Sequence, residues 1–166
     1  IAWIGGVNWL DRFDFSTNLW LEPIATGVAG ISITDDGSMV YLGTIDEGIL
    51  VYSLDGNQTD HWTESDGVSS DNVNTFTICK ARLRSSDTLS YDAGTGKLVS
   101  GHPQSGFSVI DVNNGTIDSH STQTSDAVSN FVTDVATRAG IAYMATENKG
   151  VMRFDLTSDT LLSSWN

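Results

Sequence analysis

Cysteine is almost missing from this chain. Cys79 stands alone among 166 residues, which excludes an intrachain disulfide and a cysteine-built zinc site. Flanked by Ile78 and Lys80, it reads as a small apolar residue in a strand. Proline is equally scarce, at 2 residues against 16 glycines, so the many turns rest on Gly, Asn, Asp and Ser. Positive charge is short as well. Eight Lys and Arg face 21 Asp and Glu, giving a net charge of −13 and a pI near 4.2. That balance excludes the basic footprint of a nucleic-acid binder and opposes binding to anionic headgroups. No apolar run approaches the roughly 20 residues of a spanning helix, so no membrane insertion is expected. The first residues, Ile1-Ala2-Trp3-Ile4-Gly5-Gly6, carry neither the basic start nor the apolar stretch of a signal peptide. Mean hydropathy is −0.11 with 39% hydrophobic residues, too apolar for a disordered chain.

Helical periodicity is missing too; a repeat stands in its place. A short apolar strand ending in small residues is followed by a second apolar strand and a polar turn, and this occurs four times. The pairs are Trp3-Ile4-Gly5-Gly6 with Trp9 to Asp14, Val40 to Thr44 with Gly48 to Ser53, Leu98 to Gly101 with Gly106 to Asp111, and Ala142 to Thr146 with Gly150 to Asp155. Aligning Ile4, Leu42, Val99 and Met144 gives steps of 38, 57 and 45 residues. Aligning Phe13, Tyr52, Ile110 and Phe154 gives 39, 58 and 44. Upstream strands fit at Val28-Ala29-Gly30-Ile31, Val73-Asn74-Thr75-Phe76 and Val132-Thr133-Asp134-Val135. Turns follow at 16–18, 55–57, 113–115 and 157–159, where Asp-Gly and Asn-Gly supply the positive φ of a tight hairpin.

Four antiparallel strands in about 40 to 45 residues is the period of a propeller blade. The expected fold is therefore all-β. It is a single array over 1–166 with blades near 1–22, 28–65, 72–123 and 130–166, the first incomplete and the whole half of a larger ring. The strands Gly48-Ile49-Leu50-Val51-Tyr52 and the link Asp66-Gly67-Val68-Ser69-Ser70-Asp71-Asn72-Val73 resemble the two-component-regulator propeller repeat, with Val68-Ser69 where that repeat has Leu-Pro. The resemblance implies a WD-repeat-like or YVTN-like architecture in an extracytoplasmic sensor or a secreted, surface-anchored protein. It transfers no catalytic residue.

Candidate chemistry is sparse. Lys80, Arg82 and Arg84 alternate within an excess of about 12 residues placed between Ile78 and Leu98, so an extended strand would turn all three to one face. That basic stripe is a candidate contact for an acidic partner. Asp60-His61-Trp62 is the best polar-aromatic cluster, and His61 and Trp62 join the partner-binding candidates. His61, His102 and His120 show no metal spacing, Asp35-Asp36-Gly37 and Asp55-Gly56-Asn57 lack a full calcium loop, and neither a catalytic residue nor a cofactor site is predicted. Asn57-Gln58-Thr59 and Asn114-Gly115-Thr116 match the glycosylation pattern on equivalent hairpins.

The leading expectation is a non-enzymatic module binding a protein or glycan, extracytoplasmic or secreted. A propeller glycan lyase or hydrolase is the alternative, with Asp134 its one acid in an upstream strand, and a structural surface-layer component is a third. Exposed apolar faces at both ends of the array predict a homodimer completing an eight-bladed ring.

Overall fold

The computed structural model describes residues 1–5, 7–71, 73, 89–124, 127–165. It is all-β. Among the described residues fifteen strands run antiparallel, and the one helix is a short 3-10 turn at Glu64–Asp66. No helix among the described residues is long and apolar enough to cross a membrane.

Four sheet units follow one another along the chain. The first holds β1 (Ala2–Gly5), β2 (Val7–Asp14) and β3 (Leu19–Trp20). β4 (Ile24–Asp35) pairs first with β2 and then, past Gly30, with β5 (Met39–Thr44), so blades 1 and 2 share one strand and form a single seven-stranded sheet. β6 (Ile49–Ser53) and β7 (Gln58–Trp62) complete blade 2. Blade 3 comprises β8 (Leu89–Asp92), β9 (Lys97–His102), β10 (Gly106–Asp111) and β11 (Thr116–His120). Blade 4 comprises β12 (Val132–Arg138), β13 (Ile141–Thr146), β14 (Val151–Asp155) and β15 (Thr160–Trp165). Blade 1 lacks an innermost strand among the described residues, as expected of an incomplete unit.

Alternation makes each blade two-faced. In blade 2, Val40, Leu42, Leu50 and Tyr52 face blade 1 and cluster with Leu10; Tyr41, Ile49 and Val51 face blade 3 and cluster with Val73, Leu89, Leu98 and Ile110. In blade 4, Ala142, Met144, Met152 and Phe154 meet Val99, Phe107 and Val109 of blade 3. The core is thus three inter-blade layers, each built from period-two strands.

The repeat chemistry is visible at its turns. Asp14, Asp111 and Asp155 end the third strand of their blades and accept the backbone N–H of Ser16 (2.8 Å), Asn113 (2.9 Å) and Thr157 (2.8 Å). In these hairpins Asn18, Gly115 and Asp159 take positive φ, as does Gly56 in the corresponding hairpin of blade 2. Hydrogen bonds from Ser16 hold the Asp14 carboxyl below its ordinary pKa, and those from Thr157 and Ser158 do the same for Asp155. Gly48 and Gly106 open the same strand with φ of 72° and 88°, and a side chain there would collide with the carbonyl oxygens of Trp62 and His120.

The pairings correct the sequence alignment of the third blade. Gly5, Gly43, Gly101 and Ala145 occupy one slot, since they lie opposite Leu10, Ile49, Phe107 and Val151. The residue before them is Ile4, Leu42, Ser100 and Met144, so Ser100 and not Val99 is the equivalent of the three apolar residues. With Ser100 in place the last two steps become 58 and 44, the values given by the other anchor.

The inner strand expected for blade 3 at Val73-Asn74-Thr75-Phe76 lies mostly outside the described residues. Leu89–Asp92 pairs with β9; of Val73-Asn74-Thr75-Phe76 only Val73 is described, its N–H bonded to the Thr44 carbonyl at 2.9 Å. A Cβ on Gly43 would lie 2.9 Å from Val73 and 3.1 Å from Leu89, and one on Gly101 would lie 2.6 Å from Val132 and 2.9 Å from Val135. Val73 and Leu89 therefore stand where Val132 and Val135 stand in the next blade. Fifteen residues separate Val73 from Leu89 where two separate Val132 from Val135, and those fifteen, which include the first part of the stretch between Ile78 and Leu98, lie outside the described residues.

Candidate ligand site on the third blade

On β9, Leu98, Ser100 and His102 turn to the blade 2 side while Val99 turns to blade 4. Pairing sets Ser108 opposite both Ser100 and Ser119. A row of hydroxyls thus crosses three strands, and blades 2 and 4 place Leu42 with Leu50 and Met144 with Met152 in the slots of Ser100 and Ser108. Ser100, His102 and Ser108 are fully buried, so each polar group needs a partner.

The partners form a relay. Ser108 Oγ donates to Ser69 Oγ at 2.9 Å, and Ser69 returns its backbone N–H to Ser108 Oγ at 2.8 Å. Ser69 Oγ donates to the Phe107 carbonyl at 3.0 Å. His102 Nε2 lies 3.1 Å from Ser100 Oγ and 3.3 Å from Ser108 Oγ; with the Ser108 proton engaged on Ser69, the bond to Ser108 is donated by the imidazole. Ser119 Oγ donates to the Gly67 carbonyl. Ser69 reaches this row because the link after Val68, itself buried, crosses blade 3.

Ser69 and Ser119 also line a cavity of about 300 Å³ on the surface of blade 3. Its other walls are the hydroxyls of Ser105, Ser121 and Thr124 and the amides of Gln104, Gln123 and Asn130. Among the described residues no charged side chain lines it, on a chain of net charge −13. The Ser69 and Ser119 protons point inward to backbone carbonyls, so both hydroxyls offer lone pairs to the cavity. Asn130 spends its Oδ1 on the Thr122 N–H at 2.7 Å, which leaves its NH₂ group to donate. The wall can therefore accept and donate within one small space, the pattern a hydroxyl group satisfies.

A broader groove of about 820 Å³ adjoins it through Thr124, floored by His120 and Phe154 and walled by β15. His120 stacks on Phe107 with centroids 4.7 Å apart and tilts against Phe154 at 4.8 Å. Burial between these rings lowers its pKa below 6.5, against the opposite pull of Asp118 and Asp159. Asp159 is paired with Lys97 at 2.5 Å.

Of the sequence-predicted contacts, Lys80, Arg82 and Arg84 fall outside the described residues, as does Cys79. Trp62 stacks on Tyr41 at 5.7 Å, and Tyr41 on Tyr91 of blade 3 at 6.5 Å, so the indole closes an inter-blade layer while its Nε1 donates to Asp60 at 3.0 Å. His61 sits on the outer strand of blade 2, with Nε2 against the Glu47 carbonyl. Neither reaches the blade 3 cavity. Asp134 is exposed on β12, and its Oδ1 accepts the Val135 N–H at 2.9 Å; it lines neither cavity. Among the described residues no group of three His, Cys, Asp or Glu converges as a metal site would. The buried hydroxyl row escaped sequence reading, although Ser100, His102 and Ser108 at alternate positions carried its signal.

No family model matches the chain, and no curated protein does. Solved structures do. The crystal structure of Saccharomyces cerevisiae Sqt1 superposes with a TM-score of 0.69 over 97% of this chain at 11% identity. Sqt1 is a WD40 propeller, and the shared fold makes the present chain a WD-repeat-like β-propeller array. It spans 44% of the Sqt1 chain.

Proposed function

We propose that this chain is a non-enzymatic binding module that holds a neutral, hydroxyl-rich ligand, of glycan type, in the blade 3 cavity. The observation that carries the reading is the cavity wall. Its described lining is uncharged on a strongly acidic molecule, it mixes acceptors with donors, and its two innermost hydroxyls are fixed by buried hydrogen bonds instead of being free to rotate. Such fixing lowers the entropy lost when a ligand's hydroxyls bind. The half-exposed Trp62 and His61 edge beside Asp60 is assigned to a protein partner. The sequence resemblance of the Gly48 strand and the 66–73 link to the two-component-regulator repeat is what suggests an extracytoplasmic position for the module. The chain acts as part of a closed ring.

Titration of the folded protein with a panel of neutral oligosaccharides, followed by amide NMR shifts, tests the ligand reading. Shifts are expected at Ser105, Ser121, Gln123 and Asn130, and Ser121→Trp, which fills the cavity from a partly exposed position, should abolish them. Shifts confined to other blades, or binding untouched by Ser121→Trp, would sink it. Release of a cleaved sugar would overturn the non-enzymatic part.

A further inference from the structure

Blade 3 departs from its neighbours a second time, on the face turned to blade 4. Trp62, His120 and Trp165 lie opposite Ile49, Phe107 and Val151, the residues that follow Gly48, Gly106 and Gly150, so they fill one slot of the outer strand. Tyr41, Val99 and Tyr143 likewise fill one slot, two residues before Gly43, Gly101 and Ala145. In blade 2 the Trp62 indole stacks on Tyr41 at 5.7 Å, and in blade 4 that of Trp165 meets Tyr143 at 5.9 Å. Blade 3 has the smaller group in both slots, an imidazole and an isopropyl.

The groove beside His120 is the consequence. Blades radiate from a centre and splay apart toward their outer strands, so each layer ends in a wedge that large side chains must close. Between blades 2 and 3, Trp62 and Ile117 close it, both packed on the cluster that holds Tyr41, Ile49 and Ile110. Between blades 3 and 4, Leu161 takes the slot of Ile117, opposite Phe154 as Ile117 is opposite Ile110. His120, however, stacks on Phe107 of its own blade, and about 820 Å³ stays open.

The two departures of blade 3 meet at one place. The hydroxyl row faces blade 2 and the His120 slot faces blade 4, yet Ser119, His120 and Ser121 are consecutive. The first and last line the cavity, the middle one lines the groove, and Thr124 lines both. In the described lining of the groove, the rings of His120 and Phe154 form the floor and the hydroxyls of Thr124, Thr160 and Ser163 the sides. The Asp159 carboxylate is engaged by Lys97. Burial holds the His120 pKa below 6.5, so the ring is neutral at pH 7. An apolar floor between hydroxyl sides suits a sugar ring, which carries C–H groups on its faces and hydroxyls at its edge. The groove has more than twice the volume of the cavity, so where the cavity takes one ring the groove takes two.

We infer that cavity and groove form one site for an unbranched neutral oligosaccharide of about three units, its end unit in the cavity and the next two along β15. This rests on the reading of the cavity as a glycan site and extends it from a ring to a chain.

Titration with unbranched glucose, mannose and N-acetylglucosamine oligomers of one to four units, followed by amide NMR shifts, tests it. A single sugar is expected to move Ser105, Ser121, Gln123 and Asn130 only. Trimers should also move Thr160, Leu162 and Ser163 and bind about tenfold more tightly, with no further gain from a fourth unit. His120→Trp installs the residue of the neighbouring blades and closes the groove. It should keep the single-sugar response and lose both the shifts at 160–163 and the gain with length. Thr160→Trp, which enters the groove from an exposed position, should do the same and serves if His120→Trp does not fold. Cavity shifts that never spread to β15, or a gain with length that the folded variants leave intact, overturn this inference and leave the cavity reading standing. Shifts along β15 with none in the cavity overturn the cavity reading and the joined site with it. Shifts at neither overturn both.

Discussion

Gly101 faces blade 4 at a point where no side chain fits. A methyl group there would lie 2.6 Å from Val132 Cγ1 and 2.9 Å from Val135 Cγ2, closer than carbon atoms approach in packed interiors. The backbone φ is not positive, so conformation does not require glycine; proximity does. Gly101→Ala should therefore act purely by overpacking, at about 1–3 kcal/mol. For a chain of this size that corresponds to a fall in Tm of roughly 3–10 °C. Val132→Ala by itself should also destabilise, by roughly 2 kcal/mol, by leaving a void. Together the two changes compensate, because the new methyl enters the space vacated by Val132. The double variant should be more stable than the sum of the singles by about 1 kcal/mol or more. Urea unfolding of the four proteins gives the cycle directly. If Gly101→Ala matches wild type within about 0.5 kcal/mol, or the cycle is additive, the inferred equivalence of Gly101 with Gly43 as a blade-contact point is wrong.

Other expectations follow from single groups. Ser108→Ala should cost about 1–3 kcal/mol in urea unfolding, since the Ser69 N–H and His102 Nε2 lose a buried partner. Tyr52→Phe should be neutral or stabilising in the same assay, because Tyr52 Oη is buried without a hydrogen-bond partner. The His120 effect appears as a pH dependence: its folded pKa lies below 6.5, so the unfolded chain takes up the proton first on acidification. Stability is full above 6.5, falls as pH drops through that value and levels off below the folded pKa. His120→Phe should flatten this step in stability measured between pH 8 and pH 5.

Four blades were readable in the amino-acid string because aromatic and aliphatic anchors recur at matched steps, and because Asp, Asn and Gly mark each hairpin. The readable signal was apolar periodicity, and it failed where a blade departs from apolar chemistry. Val99 was aligned in place of Ser100 because a hydrophobic match prefers the aliphatic neighbour, yet that neighbour faces the opposite side of the sheet. The hydroxyl row of blade 3 was hidden for the same reason. Its members lie in β9, β10, β11 and the preceding link, and only strand register brings them together. His102 looked isolated in sequence, whereas cross-strand pairing sets it opposite Gly106 and within reach of Ser108. The continuity of β4 across two blades was masked by Pro23 and by a first link too short to resemble the others.

The position of the additional residues in blade 3 has a consequence for how this architecture can change. Val73 and Leu89 rest on the same glycine, so whatever joins them starts and finishes at one spot. The inter-blade layer reads only the two anchoring side chains. Blade 3 thus has fifteen residues between Val73 and Leu89 where blade 4 has two between Val132 and Val135, with the same pair of contacts kept on the glycine. Diversity can accumulate at that point in one copy of the repeat, while Val132 and Val135, separated by two residues, keep the next copy closed to it.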